Sequence, residues 1–218
     1  MQLRYAVSWS GGKDSALSLW RLWQRHGPPV ALVTTLIDDG SRTRSHRLRP
    51  EVLQAQTAAI GVPVMDVATS LTDYRRHFSA ALAQLRDVDG ITAVAFGDID
   101  LEAHRSWCRS VCAELDLECL HPIWDEPREA LLQEFLGAGF VTRLVAVQEE
   151  KLDASLLGRV LDAEVIAEFR RAGIDLCGEA GEYHTLVVDG PCFSQPLRLR
   201  EGAHERVDGY CFVDFSLD

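Results

Sequence analysis

Short β-prone apolar runs alternate with longer stretches whose apolar residues recur at three- and four-residue spacing over roughly the first 120 positions. Leu3 to Trp9, with Tyr5 and Val7, predicts a strand, and Ala16, Leu19, Trp20 and Trp23 behind it fall on one face of a helix. A β-rich run from Val30 to Ile37 follows, then a polar basic segment from Ser41 to Arg49. Pro50 opens a helix through Ile60, and Gly61-Val62-Pro63 turns into a strand at Val64 to Val67. Leu71 to Arg86 reads as a helix, Ile91 to Phe96 as a strand ending in Gly97-Asp98, Glu102 to Leu115 as a helix and Glu118 to Leu120 as a short strand. Beyond Pro122 the pattern loosens into helices at Glu126 to Leu136 and Asp162 to Arg171, with β-runs at Val141 to Val147, Leu186 to Val188 and Tyr210 to Phe215.

Strands alternating with helices of this length predict an α/β fold with a five-stranded parallel sheet covered on both faces. The looser remainder predicts a smaller C-terminal α+β lobe. We divide the chain at 1–130 and 131–218, with a soft boundary because no linker or repeat marks it. In such sheets the ligand lies at the carboxyl ends of the strands, near the point where strand order reverses. The Ser10 turn, the Ile37-Asp38-Asp39 end and the Gly97-Asp98 end should therefore share one rim.

Ser10-Gly11-Gly12-Lys13-Asp14-Ser15 is a strand-to-helix turn. Its glycines admit backbone torsions that a Cβ would block, and the unpaired amides of the following helix favour an anion there. Ser10 and Ser15 add hydroxyls, and Lys13 either touches phosphate or faces solvent. Asp14 is a helix cap, an organiser of the loop or a neighbour of a metal. A Walker A loop is excluded, since Val7 and Asp14 stand where that motif needs glycine and Ser or Thr. A two-glycine turn without a ligand is the bland alternative.

The net charge of −11 argues against an extended nucleic-acid surface, and no apolar run is long enough to cross a bilayer. No export signal is visible, so a cytoplasmic protein is expected. Only two of the 22 basic residues, Lys13 and Lys151, are lysines, a bias that carries no chemistry by itself. The six cysteines form no C-x-x-C pair, and Cys108 and Cys112 lack histidine or further cysteine at ligand spacing, which points to buried thiols in a reducing compartment and not to zinc. Cys177 is read as a packing residue, and His26 and His121 as ordinary, with no constellation around either. Trp124 is assigned to the lobe junction, with a ligand-stacking surface as the alternative.

A second constellation lies at Cys177-Gly178-Glu179-Ala180-Gly181-Glu182-Tyr183-His184-Thr185, ahead of an apolar strand. Glu179 and Glu182 could capture a cation or metal, His184 could move a proton near neutral pH, and the glycines could let backbone wrap a ligand. A glycine-rich turn with a solvated acidic face is the competing reading.

The Ser10–Ser15 run resembles the PP-loop of the N-type ATP pyrophosphatases, which cut ATP between its α and β phosphates. The stretch Gly173 to Thr185, with Val188-Asp189-Gly190-Pro191 behind it, resembles the signature of the diphthine-ammonia ligase family. Gly97-Asp98-Ile99, Pro122-Ile123-Trp124, Glu134-Phe135, Gly139-Phe140, Lys151-Leu152-Asp153 and Gly158-Arg159 resemble its intermediate blocks. This resemblance implies a HUP, Rossmann-like domain that carries ATP and a C-terminal lobe that helps form an acceptor site. It implies that ATP, with Mg²⁺, activates a carboxylate as an acyl-adenylate, that pyrophosphate leaves, and that ammonia or an amine displaces AMP. The acceptor in the family is diphthine on translation elongation factor 2. Diphthamide belongs to archaea and eukaryotes, so a bacterial origin would imply another carboxylate.

The expected ATP-binding residues are Ser8, Ser10, Gly11, Gly12, Lys13, Asp14, Ser15, Thr35, Leu36, His46, Gly97 and Asp98, with adenine on the backbone of Thr35 and Leu36. His46 is read as phosphate-facing, and Asp98 as a Mg²⁺ neighbour through water or the cap of the next helix. The expected substrate-binding residues are Gly178, Glu179, Gly181, Glu182, Tyr183, His184 and Thr185. Catalytic roles fall to Asp14, Ser15, Glu179, Glu182 and His184. Two other classes compete: a nucleotide sensor that does no chemistry, and a PP-loop tRNA-thiolating enzyme, for which paired cysteines and a basic surface are missing. The assembly is open, with a homodimer among the options.

Overall fold

The computed structural model describes residues 3–218. The first sheet is built from β1 (Tyr5–Ser8), β2 (Ala31–Leu36), β3 (Val64–Ala68), β4 (Ala93–Ala95) and β5 (Glu118–Leu120), all parallel, in the order β3-β2-β1-β4-β5. Strand order reverses between β1 and β4. The apolar residues of the middle strands β1 and β4 are buried on both faces because helices cover each side. These are α1 (Lys13–His26), α2 (Pro50–Ile60), α3 (Tyr74–Asp89) and α4 (Glu102–Glu114).

The second sheet is antiparallel, in the order β7-β6-β9-β8, from β6 (Val141–Gln148), β7 (Tyr183–Asp189), β8 (Leu199–Val207) and β9 (Tyr210–Leu217). Helices α5 (Arg128–Gly137) and α6 (Ala163–Ala172) accompany it. Asp162 caps α6 by accepting from the amides of Glu164 and Val165, both at 3.0 Å. One hydrophobic core runs from Tyr5, Val7 and Leu19 through Phe135 and Phe140 to Val187 and Phe215.

Several elements differ from the pattern-based reading. The third helix begins at Tyr74 and not Leu71, because the Ser70 hydroxyl accepts from the Asp73 amide at 3.1 Å and closes a turn that leaves Leu71 exposed. The fifth helix starts after Pro127. Strand β8 was not predicted: it is an edge strand, almost wholly exposed, without apolar alternation. Strand β7 starts three residues earlier than expected, so Tyr183, His184 and Thr185 belong to a strand and not to a glycine-rich turn. Among the described residues, no helix is long and apolar enough to cross a membrane.

Candidate active site

The Ser10–Ser15 turn connects β1 to α1 at the reversal of strand order, and β7 of the second sheet docks against it. Gly11 takes a left-handed φ of 81°, and its carbonyl accepts from the Val187 amide at 2.9 Å. The Lys13 amide donates to Thr185 Oγ1 at 3.1 Å. Gln56, fully buried on α2, locks the joint: its Nε2 donates to the carbonyls of Gly11 (3.0 Å) and Val187 (2.7 Å), while Oε1 accepts from Trp9 Nε1 (2.9 Å). Gln56 carries no motif, so sequence reasoning missed it.

Two cavities of about 220 Å³ each meet at this turn. The first is lined by Ser8, Ser10, Asp14, Ser15, Thr35, His46, Gly97 and Asp98, together with Arg44, Ser45, Tyr74 and Phe96. The second is lined by Lys13, Gly178, Glu179, Gly181, Tyr183, His184 and Thr185. Ser10, Asp14, Ser45, His46, Gly97 and Asp98 border both. Most sequence-predicted positions therefore converge on one rim. Gly97 permits the convergence, since a Cβ there would lie 2.9 Å from the Ser15 amide nitrogen. Gly178 is equally constrained, with φ 71° and a Cβ that would meet the Tyr183 ring at 2.9 Å.

Other expected residues lie outside these linings or are engaged within the protein. Gly11, Gly12, Leu36 and Glu182 line neither cavity. The Thr35 carbonyl accepts from the Arg44 amide at 3.0 Å and the Leu36 carbonyl from the Thr69 amide at 3.2 Å, so the first is already engaged by the folded-back 41–49 segment and the second by the residue after β3. Glu182 is buried, with Oε1 3.3 Å from Lys151 Nζ and Oε2 accepting from the Ala180 amide. The Tyr183 hydroxyl donates to the Leu176 carbonyl at 2.6 Å, and the Thr185 hydroxyl holds Lys13, so both side chains brace the site. Asp14 does not cap α1, nor Asp98 α4: neither helix has a side-chain cap at its start. Trp124 lies under the Arg105 guanidinium, 4.3 Å from its ring centroid, and lines neither cavity.

Lys13 is neither solvent-facing nor free. Its side chain is buried against the Tyr183 ring, donating to Asp14 Oδ2 at 2.7 Å and to the Cys177 carbonyl. Burial alone would lower its pKa, but Asp14 with Tyr183 and Cys177 outweighs it, so the ammonium persists. That charge, after burial, acts on the neighbours. His184 is pushed down to about 4 by burial and then by Lys13. His46, edge-on to His184 with centroids 4.8 Å apart, is lowered by burial, then by His184 and Lys13. Both imidazoles are thus neutral at pH 7, and His184 does not hold a proton to give. Glu179 is the group poised near neutrality: burial, then Asp14, raises it to about 7.

Asp14, paired with Lys13 through Oδ2, also borders both cavities and is an oxygen donor of the type a hard cation such as Mg²⁺ takes. Arg44 and Tyr74 were not singled out by sequence; Arg44 lies 5.9 Å from the Tyr74 ring centroid, with a buried Nε that has no hydrogen-bond partner.

Residues 3–119 match the diphthamide synthase N-terminal domain, and residues 127–216 match the diphthamide synthase C-terminal domain. The chain belongs to the diphthamide synthase family. Among its relatives is the diphthine–ammonia ligase of Rattus norvegicus, 25% identical over 224 residues, covering 89% of this chain and 82% of the relative. That of Danio rerio is 25% identical over 219 residues, covering 86% and 83%. Among solved structures, a Methanocaldococcus jannaschii protein described as a subunit of tRNA methyltransferase is 16% identical, with a TM-score of 0.48 over 86% of this chain and 97% of that one.

Proposed function

We propose that this diphthamide synthase family member is an ATP-dependent ligase that adenylates a carboxylate and passes it to ammonia or an amine. The supporting observation is the shared wall: Ser10, Asp14, His46 and Gly97 border both cavities, so a nucleotide in the first would turn its phosphates toward Glu179 and His184 in the second. In this reading residues 1–130 carry ATP and 131–218 supply the acceptor lobe.

The acceptor's carboxylate oxygen attacks the α-phosphorus, the bond to the bridging oxygen breaks, and pyrophosphate leaves with the electron pair. The amides of Asp14 and Ser15, in the first turn of α1 and at the cavity wall, hold that leaving group. Lys13, charged and pinned, keeps the turn and Cys177 together. Mg²⁺, with Asp14 as its protein ligand, would neutralise polyphosphate charge. Ammonia nitrogen then attacks the acyl carbon, the carbon–oxygen bond to AMP breaks, and Glu179 takes the proton released from nitrogen, a task suited to a carboxylate with a pKa of about 7. Neutral His184 and His46 donate hydrogen bonds to phosphate oxygens. The relatives' name makes diphthine the first acceptor to test.

Exchange of labelled pyrophosphate into ATP tests this step. Exchange that needs the carboxylate acceptor but not ammonia, and that falls on Asp14→Asn, is expected. Production of ADP and phosphate would overturn the reading.

A further inference from the structure

Asp98, Cys108 and His121 are distant in sequence, yet they meet where β4, α4 and β5 come together. Asp98 follows β4, Cys108 sits on the inward face of α4, and His121 follows β5. One ligand-type atom from each lies within 4.8 Å of the others. Cys108 Sγ is 3.7 Å from Asp98 Oδ2, and His121 Nε2 is 3.9 Å from the same oxygen. A tetrahedral ion with bonds of about 2.0–2.3 Å spaces its ligand atoms about 3.3–3.6 Å apart, so the two spacings to Asp98 Oδ2 need to close by only about 0.2–0.6 Å.

His121 adds an independent observation. Its side chain is 5% exposed, and Nε2 has no hydrogen-bond partner. A buried polar nitrogen is seldom left that way. The ring is wedged between Phe96 and Trp124, with centroids at 5.7 and 5.5 Å, and Nδ1 lies 3.8 Å from Cys119 Sγ. Nε2 is thereby aimed at the Asp98–Cys108 pair, in the manner of a ligand oriented through its other nitrogen. This overturns the reading of His121 as a residue without a constellation.

We propose that Asp98, Cys108 and His121 bind Zn²⁺, with the fourth position open beside His104. Mixed thiolate, imidazole and carboxylate donors suit this borderline ion and not Mg²⁺, whose ligands are oxygens. His104 Nδ1 is 3.1 Å from Asp98 Oδ1 at the exposed side of the cluster. Because Asp98 also borders both cavities, the ion would fix that wall while tying α4 to the sheet. The site stands whether or not the ligase reading does.

Cobalt substitution tests it. The whole chain, stripped with a chelator, should bind one equivalent of Co²⁺ with a thiolate-to-cobalt charge-transfer band and the visible absorption of tetrahedral cobalt, both removed by equimolar Zn²⁺. Cys108→Ser should abolish the charge-transfer band, while Cys192→Ser, altering a thiol elsewhere in the core, should keep it. His121→Gln and Asp98→Asn should retain the band but weaken Co²⁺ affinity by about tenfold or more. Circular dichroism checks that each variant folds, and the His121 and Asp98 variants decide the matter if Cys108→Ser does not. Absence of the band in the parent chain, its survival in folded Cys108→Ser, or unchanged affinity in folded His121→Gln and Asp98→Asn would overturn the site.

Discussion

Replacing Glu179 by glutamine should make the protein more stable and less active, and the stability gain should appear only as pH rises. Burial followed by the Asp14 charge raises Glu179 from an ordinary 4.5 to about 7, so the folded chain holds the proton more tightly than the unfolded chain. Below 4.5 both forms are protonated and the residue is neutral in its effect; between 4.5 and about 7 stability is progressively lost. The full shift corresponds to about 3 kcal/mol, and because Glu179 is partly open to solvent we discount this to about 1–2 kcal/mol. Glutamine keeps the shape without the charge. For a chain of this length the gain corresponds to roughly 2–8 °C in Tm at about pH 8 and to little at about pH 5. Thermal unfolding of both proteins at the two pH values measures it. Equal gains at both, or none at the higher pH, would refute the desolvation argument. In the same variant the amide-forming step should slow by about 10²–10⁴-fold while ATP still binds, and in the parent its rate should rise with pH through about 7.

Three further outcomes follow from the geometry. Gln56→Leu removes three buried hydrogen bonds joining the turn, β7 and Trp9, and should cost about 3–4 kcal/mol in urea unfolding. Gly97→Ala sets a Cβ 2.9 Å from the Ser15 amide and should lower ATP affinity by about tenfold or more in calorimetry, at a stability cost of about 1–3 kcal/mol. Asp214 on β9 is pulled down to about 2, by Arg49 first and then Arg42, so its contribution is present above 3.8 and lost as pH falls toward 2. Asp214→Asn should therefore cost about 1–2 kcal/mol at neutral pH, narrowing in acid, as followed by pH-dependent chemical denaturation.

The parallel sheet was legible because buried β-runs and amphipathic helices leave periodic traces, and the Ser10 turn because glycines at a strand-to-helix junction have few other uses. Edge strand β8 left no trace, since an exposed edge needs no apolar alternation. The site was legible as two segments but not as one joint. The hydrogen bonds of Gln56, Thr185 and Lys13 that unite them join residues 45 to 172 positions apart in sequence, and no local spacing reports such contacts. Protonation states were equally hidden. His184 looks like a neutral-pH proton carrier by type, whereas its burial beside Lys13 makes it a neutral ring and leaves Glu179 to titrate near pH 7. Likewise, only the meeting of β4, α4 and β5 brings Asp98 and His121, 10 and 13 positions away along the chain, to Cys108.

The most direct test of a single adenylating centre is a structure with a non-hydrolysable ATP analogue and Mg²⁺. The account predicts β- and γ-phosphates on the amides of the Ser10–Ser15 turn, Mg²⁺ at Asp14, and the α-phosphate facing Glu179 and His184 across the shared wall. An α-phosphate turned away from residues 178–185, with solvent or another element between them, would contradict it.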